Sequence, residues 1–209
     1  MSGKLAWEGT LVAVQPRIRL LRSFDEVHHA YLGYALQVEG CVGGERGCFS
    51  IGVGKAAQVR FAFRVGCRVQ GLCERIADPR KETVDYYKVS ALVLLGHGKP
   101  ADETAPPWLG LPPSLDIYRQ RGHRRLDPRT YAKKCSQCIW GCRMPVEMIV
   151  DHWNPSQKRY RDETFCYGPK SCSLYRAGAN RKVPGRNGMV WVEEDWVDEE
   201  MTSHRDPDD

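Results

Sequence analysis

Through the first hundred residues, apolar and β-branched positions recur in short blocks, each closed by a polar, glycine or proline break. Trp7–Gln15 opens the series, and its pattern continues past Pro16 through Ile18, Leu20 and Leu21. A polar break at Ser23–His29 leads into Tyr31–Val38, and Gly43-Gly44-Glu45-Arg46-Gly47 turns the chain into Cys48–Val53. Glycines between two such runs are the composition of a hairpin turn. Cys67–Ile76, a turn at Asp78-Pro79-Arg80-Lys81, and Tyr86–Leu95 complete the set. Alternating runs of this length, rich in Val, Tyr and Phe, are strands. The pattern predicts about five of them with little helical signal between, which suggests a small closed antiparallel barrel.

Beyond residue 97 the pattern changes. Pro100, Pro106, Pro107, Pro112 and Pro113 mark residues 98–130 as a proline-rich linker, in which Ser114–Arg121 has the makings of a short helix with Ser114 as N-cap. Strand-forming blocks return at Pro145–Trp153 and Arg161–Phe165, separated by the turn-prone Asn154–Lys158. Met189–Val197 is an apolar-acidic run that either adds a strand or docks on a basic surface. The acidic tail 198–209 is expected to be disordered.

One phrase narrows the first block. Phe63-Arg64-Val65-Gly66-Cys67-Arg68-Val69-Gln70-Gly71-Leu72-Cys73-Glu74, a basic turn and then Tyr86-Tyr87-Lys88-Val89-Ser90 resembles the later strands of OB-fold nucleic-acid-binding domains. There a V-G-x-x-V-x-G stretch opens a strand, because glycines permit the tight bends of a small barrel. SH3-like barrels share the pattern. The resemblance covers residues 6–96 and implies a mostly β chain, with a five-stranded OB-like barrel over 1–97.

With 42% hydrophobic and 27% charged residues the composition is that of an ordinary soluble globular protein. No apolar run approaches the roughly 20 residues of a membrane span, and the N-terminus has no apolar signal region. The expected setting is therefore the cytoplasm, with no membrane partner. That setting keeps thiols reduced and changes how the nine cysteines are read. Five of them form the pattern Cys135-x2-Cys138-x3-Cys142 … Cys166-x5-Cys172. Two short cysteine turns joined by a hairpin are what a four-cysteine zinc site needs. Residues 131–197 thus resemble a zinc ribbon, with Cys135, Cys138, Cys166 and Cys172 as ligands of one structural Zn2+. Cys142 is the spare thiol or a substitute ligand. An iron–sulfur cluster is the rival occupant, but the spacing lacks the tighter ferredoxin run. His152 is expected to be packed or surface-placed rather than a mixed ligand. A thioredoxin-like role for Cys135-Ser136-Gln137-Cys138 lacks the strand–helix setting that activates a thiol. Cys41, Cys48, Cys67 and Cys73 are expected to be inert buried thiols.

Charge adds a partner. The net +5 conceals a basic body and an acidic end, residues 193–209 carrying one cation against nine carboxylates. Cations interleave with aromatics, which matches phosphates and unpaired bases. The candidate nucleic-acid contacts are Arg60, Arg64, Arg68, Tyr86 and Lys88 on the barrel. Those beyond it are Arg124, Arg125, Lys133, Lys134, Lys158, Arg159 and Arg161. No phosphate loop, G-x-S-x-G elbow or H-E-x-x-H is present, so catalysis is not expected. The leading expectation is a non-enzymatic zinc protein that binds single-stranded DNA or RNA through backbone charge and base stacking. The alternatives are a protein-docking scaffold or accessory subunit of a larger complex, with tryptophans as anchors, and an iron–sulfur accessory subunit of a redox enzyme.

Overall fold

β1 runs from Leu5 to Arg22 and organises everything else. The computed structural model describes residues 3–98, 105–206 and 208–209. β1 pairs antiparallel with β2 (Val27–Val42) from Trp7 to Arg22. On its other flank it meets β4 (Arg68–Arg75) only over Leu5–Thr10, and β7 (Gly141–Ile149) only over Leu20–Arg22. Pro16 lies between those two stretches, where the strand has no ladder partner on that flank. A missing backbone N–H is harmless there. Register shifts at Leu11/Ala13 and Arg17/Ile18 bend the strand, so that Leu11, Val14, Ile18 and Leu20 all point into the core.

The first half closes on itself. β2 pairs with β3 (Glu45–Val53), β3 meets β5 (Tyr86–Gly96) in parallel at Ile51 and Tyr86, β5 pairs with β4, and β4 returns to β1. The result is a ring of five strands in the order β1-β2-β3-β5-β4-β1. Such a small ring requires close approach at Gly9 and Gly40, which face each other across β1 and β2. A Cβ on Gly40 would stand 2.1 Å from the Glu8 carbonyl oxygen. Trp7, Phe49 and Tyr86 interlock edge to face inside, with centroids 6.4 and 5.9 Å apart. Between β3 and β4 the chain forms α1 (Lys55–Phe61), a helix the sequence pattern did not signal. Its Gln58 is buried and donates to the Phe63 carbonyl, and Ala57 and Phe61 pack against the core beside it.

The sheet does not end at the barrel. β7 and β8 (Lys158–Cys166) form the expected hairpin, and the far end of β1 joins it to the ring in the order β1-β7-β8-β6, where β6 is Arg124–Arg125. The segment 98–130 is thus more than a linker. Residues 99–104 lie outside the described residues, but α2 (Leu115–Arg121) buries Leu115 and Tyr118, and Tyr34 donates to the Pro113 carbonyl at 2.7 Å. Ser114 holds the N-cap position of α2 without a side-chain capping bond. α3 (Pro128–Thr130) runs into a π-helical turn over Tyr131–Cys135.

The C-terminal run forms β9 (Arg181–Pro184), β10 (Val190–Glu193) and α4 (Asp195–Thr202). Here the expectation of a disordered tail from Asp198 is corrected. Asp198 is buried on α4 against Arg125, and Glu193 is buried against Arg22, because the body supplies cations that this acidic run matches. Among the described residues, no helix is long and apolar enough to cross a membrane.

Candidate metal centre and cationic surface

Two tight turns bring thiols from remote positions together. After the π-helical turn, the Cys138 amide donates to the Cys135 carbonyl at 3.1 Å and the Gly141 amide to the Cys138 carbonyl at 3.0 Å. β7 then leaves and β8 returns to end at Cys166. A second turn follows, in which the Cys172 amide donates to the Pro169 carbonyl at 3.2 Å. Cys135, Cys138, Cys166 and Cys172 line one cavity of about 10 Å³, closed by Pro106, Pro107, Trp108, Trp140, Leu174 and Tyr175. As the chain stands, no group of three or more His, Cys, Asp or Glu among the described residues is set for metal ligation.

The surroundings of the sulfurs are specific. Backbone amides of Trp140 and Trp108 face the Cys138 thiol, and the Gly168 amide and the Arg124 guanidinium face Cys166. Burial pushes the Cys135 thiol up to about 12, with the neighbouring Cys138, Cys166 and Cys172 adding to it. Burial likewise pushes Cys138 up to about 11 and raises Cys166. Cys142, the spare of the sequence pattern, takes no part. It is fully buried on β7 with its Sγ 3.4 Å from the Pro16 carbonyl oxygen, a position that knits β7 to β1.

Gln15 ties this region to the barrel. Its Nε2 donates to the carbonyls of Cys135 and Cys138 at 3.0 and 2.8 Å, and its Oε1 accepts from the Tyr131 hydroxyl at 2.7 Å. The loop between Cys166 and Cys172 is held from outside by arginines. Arg121 Nε donates to the Tyr167 carbonyl at 2.8 Å, Arg205 Nη1 to Tyr167 and Gly168, and Arg124 Nη2 to Pro169 at 2.9 Å. Sequence reasoning missed Gln15, Trp108 and these clamps. A polar residue within an apolar strand and a tryptophan in a proline-rich stretch were the only local signals.

The predicted nucleic-acid contacts separate into two groups. Tyr86 is a core residue of the barrel and is corrected from surface to interior. Arg125 is fully buried, bonded to Asp198, Asp195, Asn180 and the Glu193 carbonyl, and is unavailable to any ligand. Arg124 stacks over Tyr175 with its guanidinium 3.9 Å from the ring centroid, while it braces the Pro169 loop. Arg68, Lys88, Lys158 and Arg161 pair with Glu8, Glu74, Glu147 and Glu163. Arg60, Arg64, Lys133, Lys134 and Arg159 stand outside the ion pairs found among the described residues, and all but the half-buried Arg64 are exposed. A cleft of about 370 Å³ opens between the barrel and the first cysteine turn. Gln37, Thr83, Ser136, Gln137 and Arg143 line it.

Of the remaining cysteines, Cys67 and Cys73 are buried as expected, whereas Cys48 is exposed and Cys41 half-buried on the β2–β3 hairpin, where the strands face outward. His152 sits on the surface at the β7–β8 turn, 3.2 Å from Asp25. Compared with protein-family models, curated proteins and solved structures, the chain matches none.

Proposed function

We propose that Cys135, Cys138, Cys166 and Cys172 hold one structural zinc ion in a ribbon-like module joined to an OB-like barrel, and that the chain is a non-enzymatic protein for single-stranded nucleic acid. The observation that carries this reading is the meeting of four thiols from two remote turns around one small cavity, with amide donors turned toward their sulfurs. Four thiolates on a divalent ion leave excess negative charge, and donors to sulfur stabilise that form. Arg124 at Cys166 supplies the matching cation. A cavity of about 10 Å³ suits a single atom better than a cluster, which favours zinc over iron–sulfur.

The barrel supports the second part. Its strand order with a helix between β3 and β4 is that of an OB-like barrel, a framework used for oligonucleotides. Lys133 and Lys134 are exposed on the turn that delivers Cys135, and that turn's Tyr131 and the following Ser136 line the cleft shared by both modules. Cations there suit a backbone, and the cleft's free carboxamides suit base edges.

Metal analysis of the protein and its Cys→Ser variants tests the metal. One zinc per chain is expected, lost on substitution at 135, 138, 166 or 172 and kept in Cys142→Ser. Iron, or no metal, would overturn it. Fluorescence anisotropy with single-stranded DNA and RNA tests the ligand. Affinity should fall steeply between 50 and 200 mM salt, by about tenfold for a few phosphate contacts. Absence of binding, or binding indifferent to salt, would overturn that part.

A further inference from the structure

Three chain turns distant in sequence expose aromatic side chains on one surface. Phe24 lies at the β1–β2 turn, close enough to Gly185 that a Cβ there would stand 2.9 Å from its ring and 3.3 Å from Met189 Cβ. Trp153 lies at the β7–β8 turn and is 83% exposed. That turn is fixed beside the other two by the His152–Asp25 contact at 3.2 Å and the Arg186–Asp151 pair at 3.6 Å. Trp191 follows on β10, and Trp196 on α4 packs edge to face on it with centroids 5.9 Å apart. Trp191 and Trp196 remain 37% and 48% exposed. Large apolar side chains grouped in the open mark interaction surfaces, and tryptophans carry disproportionate weight there.

β10 adds a second feature. Its sheet contains only β9 beside it, so the far edge of Val190–Glu193 has no strand partner among the described residues. An open edge next to apolar side chains is a template for an added strand.

Charge decides what kind of molecule fits. Exposed indoles also stack on nucleobases, but carboxylates outnumber cations on this rim: Asp25, Glu26, Glu194 and Asp195 are exposed and Asp151 is half-buried, against exposed Lys182 and Arg186, the latter paired with Asp151. Such a rim repels phosphates and attracts lysine and arginine. We propose that this surface docks a protein partner presenting an extended segment of alternating apolar and basic residues, which adds a strand to β10 and buries its side chains against Trp191, Trp196 and Trp153. This surface is separate from the cysteines and from Lys133 and Lys134, so the inference stands independently of the zinc and nucleic-acid readings.

The test uses the full chain and three probes: a peptide alternating valine and lysine, the same peptide with glutamate for lysine, and an oligothymidylate. Amide hydrogen exchange is followed at Val190–Glu193, and affinity by anisotropy. The basic peptide is expected to slow exchange at these amides and to bind at least about tenfold tighter than the acidic one. A Trp191→Ser, Trp196→Ser double variant with an unchanged melting temperature should lose that binding about tenfold or more. Equal binding of both peptides, or a double variant that binds as well as the parent, overturns the proposal. Protection of the same amides by oligothymidylate would make this a nucleic-acid face. Protection on raising protein concentration alone would make it a self-association edge. Either result overturns the proposal too.

Discussion

Arg125 and Asp198 bind each other twice. The Arg125 side chain donates from Nε to Asp198 Oδ2 at 2.9 Å, and the Arg125 backbone amide donates to Asp198 Oδ1 at the same distance. The guanidinium is fully buried and the carboxylate nearly so. Through this contact the acidic end of the chain closes over β6, the outer edge of the long sheet. A cation expected to meet nucleic acid and a carboxylate expected in a loose tail therefore neutralise each other inside the fold.

Removing Asp198 takes the acceptor from the buried Arg125 Nε and backbone amide, and leaves the guanidinium to Asp195, Asn180 and the Glu193 carbonyl. Breaking one side of such a pair costs about 3–5 kcal/mol. Asp198→Ala should lose that much stability in urea denaturation and make residues 193–209 the first site of proteolysis. Asp198→Asn keeps an oxygen for the Arg125 amide and should lose less. A loss in Asp198→Ala below about 1 kcal/mol would mean the pair is not what holds α4.

Gln15 should couple the barrel to the proposed metal site. Gln15→Leu keeps the side chain's size but removes the second donor from the Cys135 and Cys138 carbonyls, which keep the Cys138 and Gly141 amides, and leaves the Tyr131 hydroxyl without its acceptor. Orphaned buried groups cost about 1–3 kcal/mol each, softened where water enters. The expected outcome is a loss of about 1–3 kcal/mol in stability and, by the usual effect of outer-shell partners, about 10–100-fold weaker zinc retention. Chelator competition measures the second quantity. Unchanged retention would mean that the turn is positioned without the barrel.

Period-two patterning made the barrel legible, because Leu11, Val38, Ile51 and Val69 each face one buried side. It also made the β7–β8 hairpin legible, since Asn154–Lys158 has turn composition between two strand-forming runs. Cysteine spacing grouped the four thiols and left Cys142 over. What stayed hidden depends on long-range pairing. α1 spans seven residues, and Ala57 and Phe61 on its core face flank a buried Gln58, too short a pattern to announce a helical period. Charge composition cannot tell an arginine that meets solvent from one that meets Asp198, which lies 73 residues away. For that reason the surface expectation failed at Arg125, and the disordered-tail expectation failed at its partner.

Acidification should weaken the fold through two histidines. The His29 and His123 rings lie tilted against each other with centroids 4.8 Å apart, and the His29 Nε2 has no hydrogen-bond partner among the described residues. Burial first, then the charges of Arg22 and His28, hold His29 down at about 4, with Glu193 opposing. Burial holds His123 well below the usual range as well. In the unfolded chain both titrate near 6.5. The unfolded state therefore takes up protons that the folded state refuses, so stability is complete above about pH 6.5 and falls between there and pH 4. His29 alone should contribute a loss of about 1–2 kcal/mol between pH 7 and 5. Urea midpoints across that range should fall less in His29→Gln than in the parent. Parallel pH profiles for the two proteins would rule out His29 as the source.

If the backbone of a single strand passes the turn before Cys135, Lys133 and Lys134 should set its salt dependence. Each neutralised phosphate on a single strand contributes about 0.7 to the slope of log affinity against log salt. Replacing both lysines by glutamine should therefore flatten the slope by about 1.4 and weaken binding similarly across sequences, as backbone contacts do. Both side chains are exposed and cap no element, so the melting temperature should stay unchanged. Arg68→Gln gives the contrast. Its guanidinium already faces Glu8 at 2.9 Å, and the slope should move by less than half as much. A double lysine variant with the parent's slope would place the strand elsewhere on the chain.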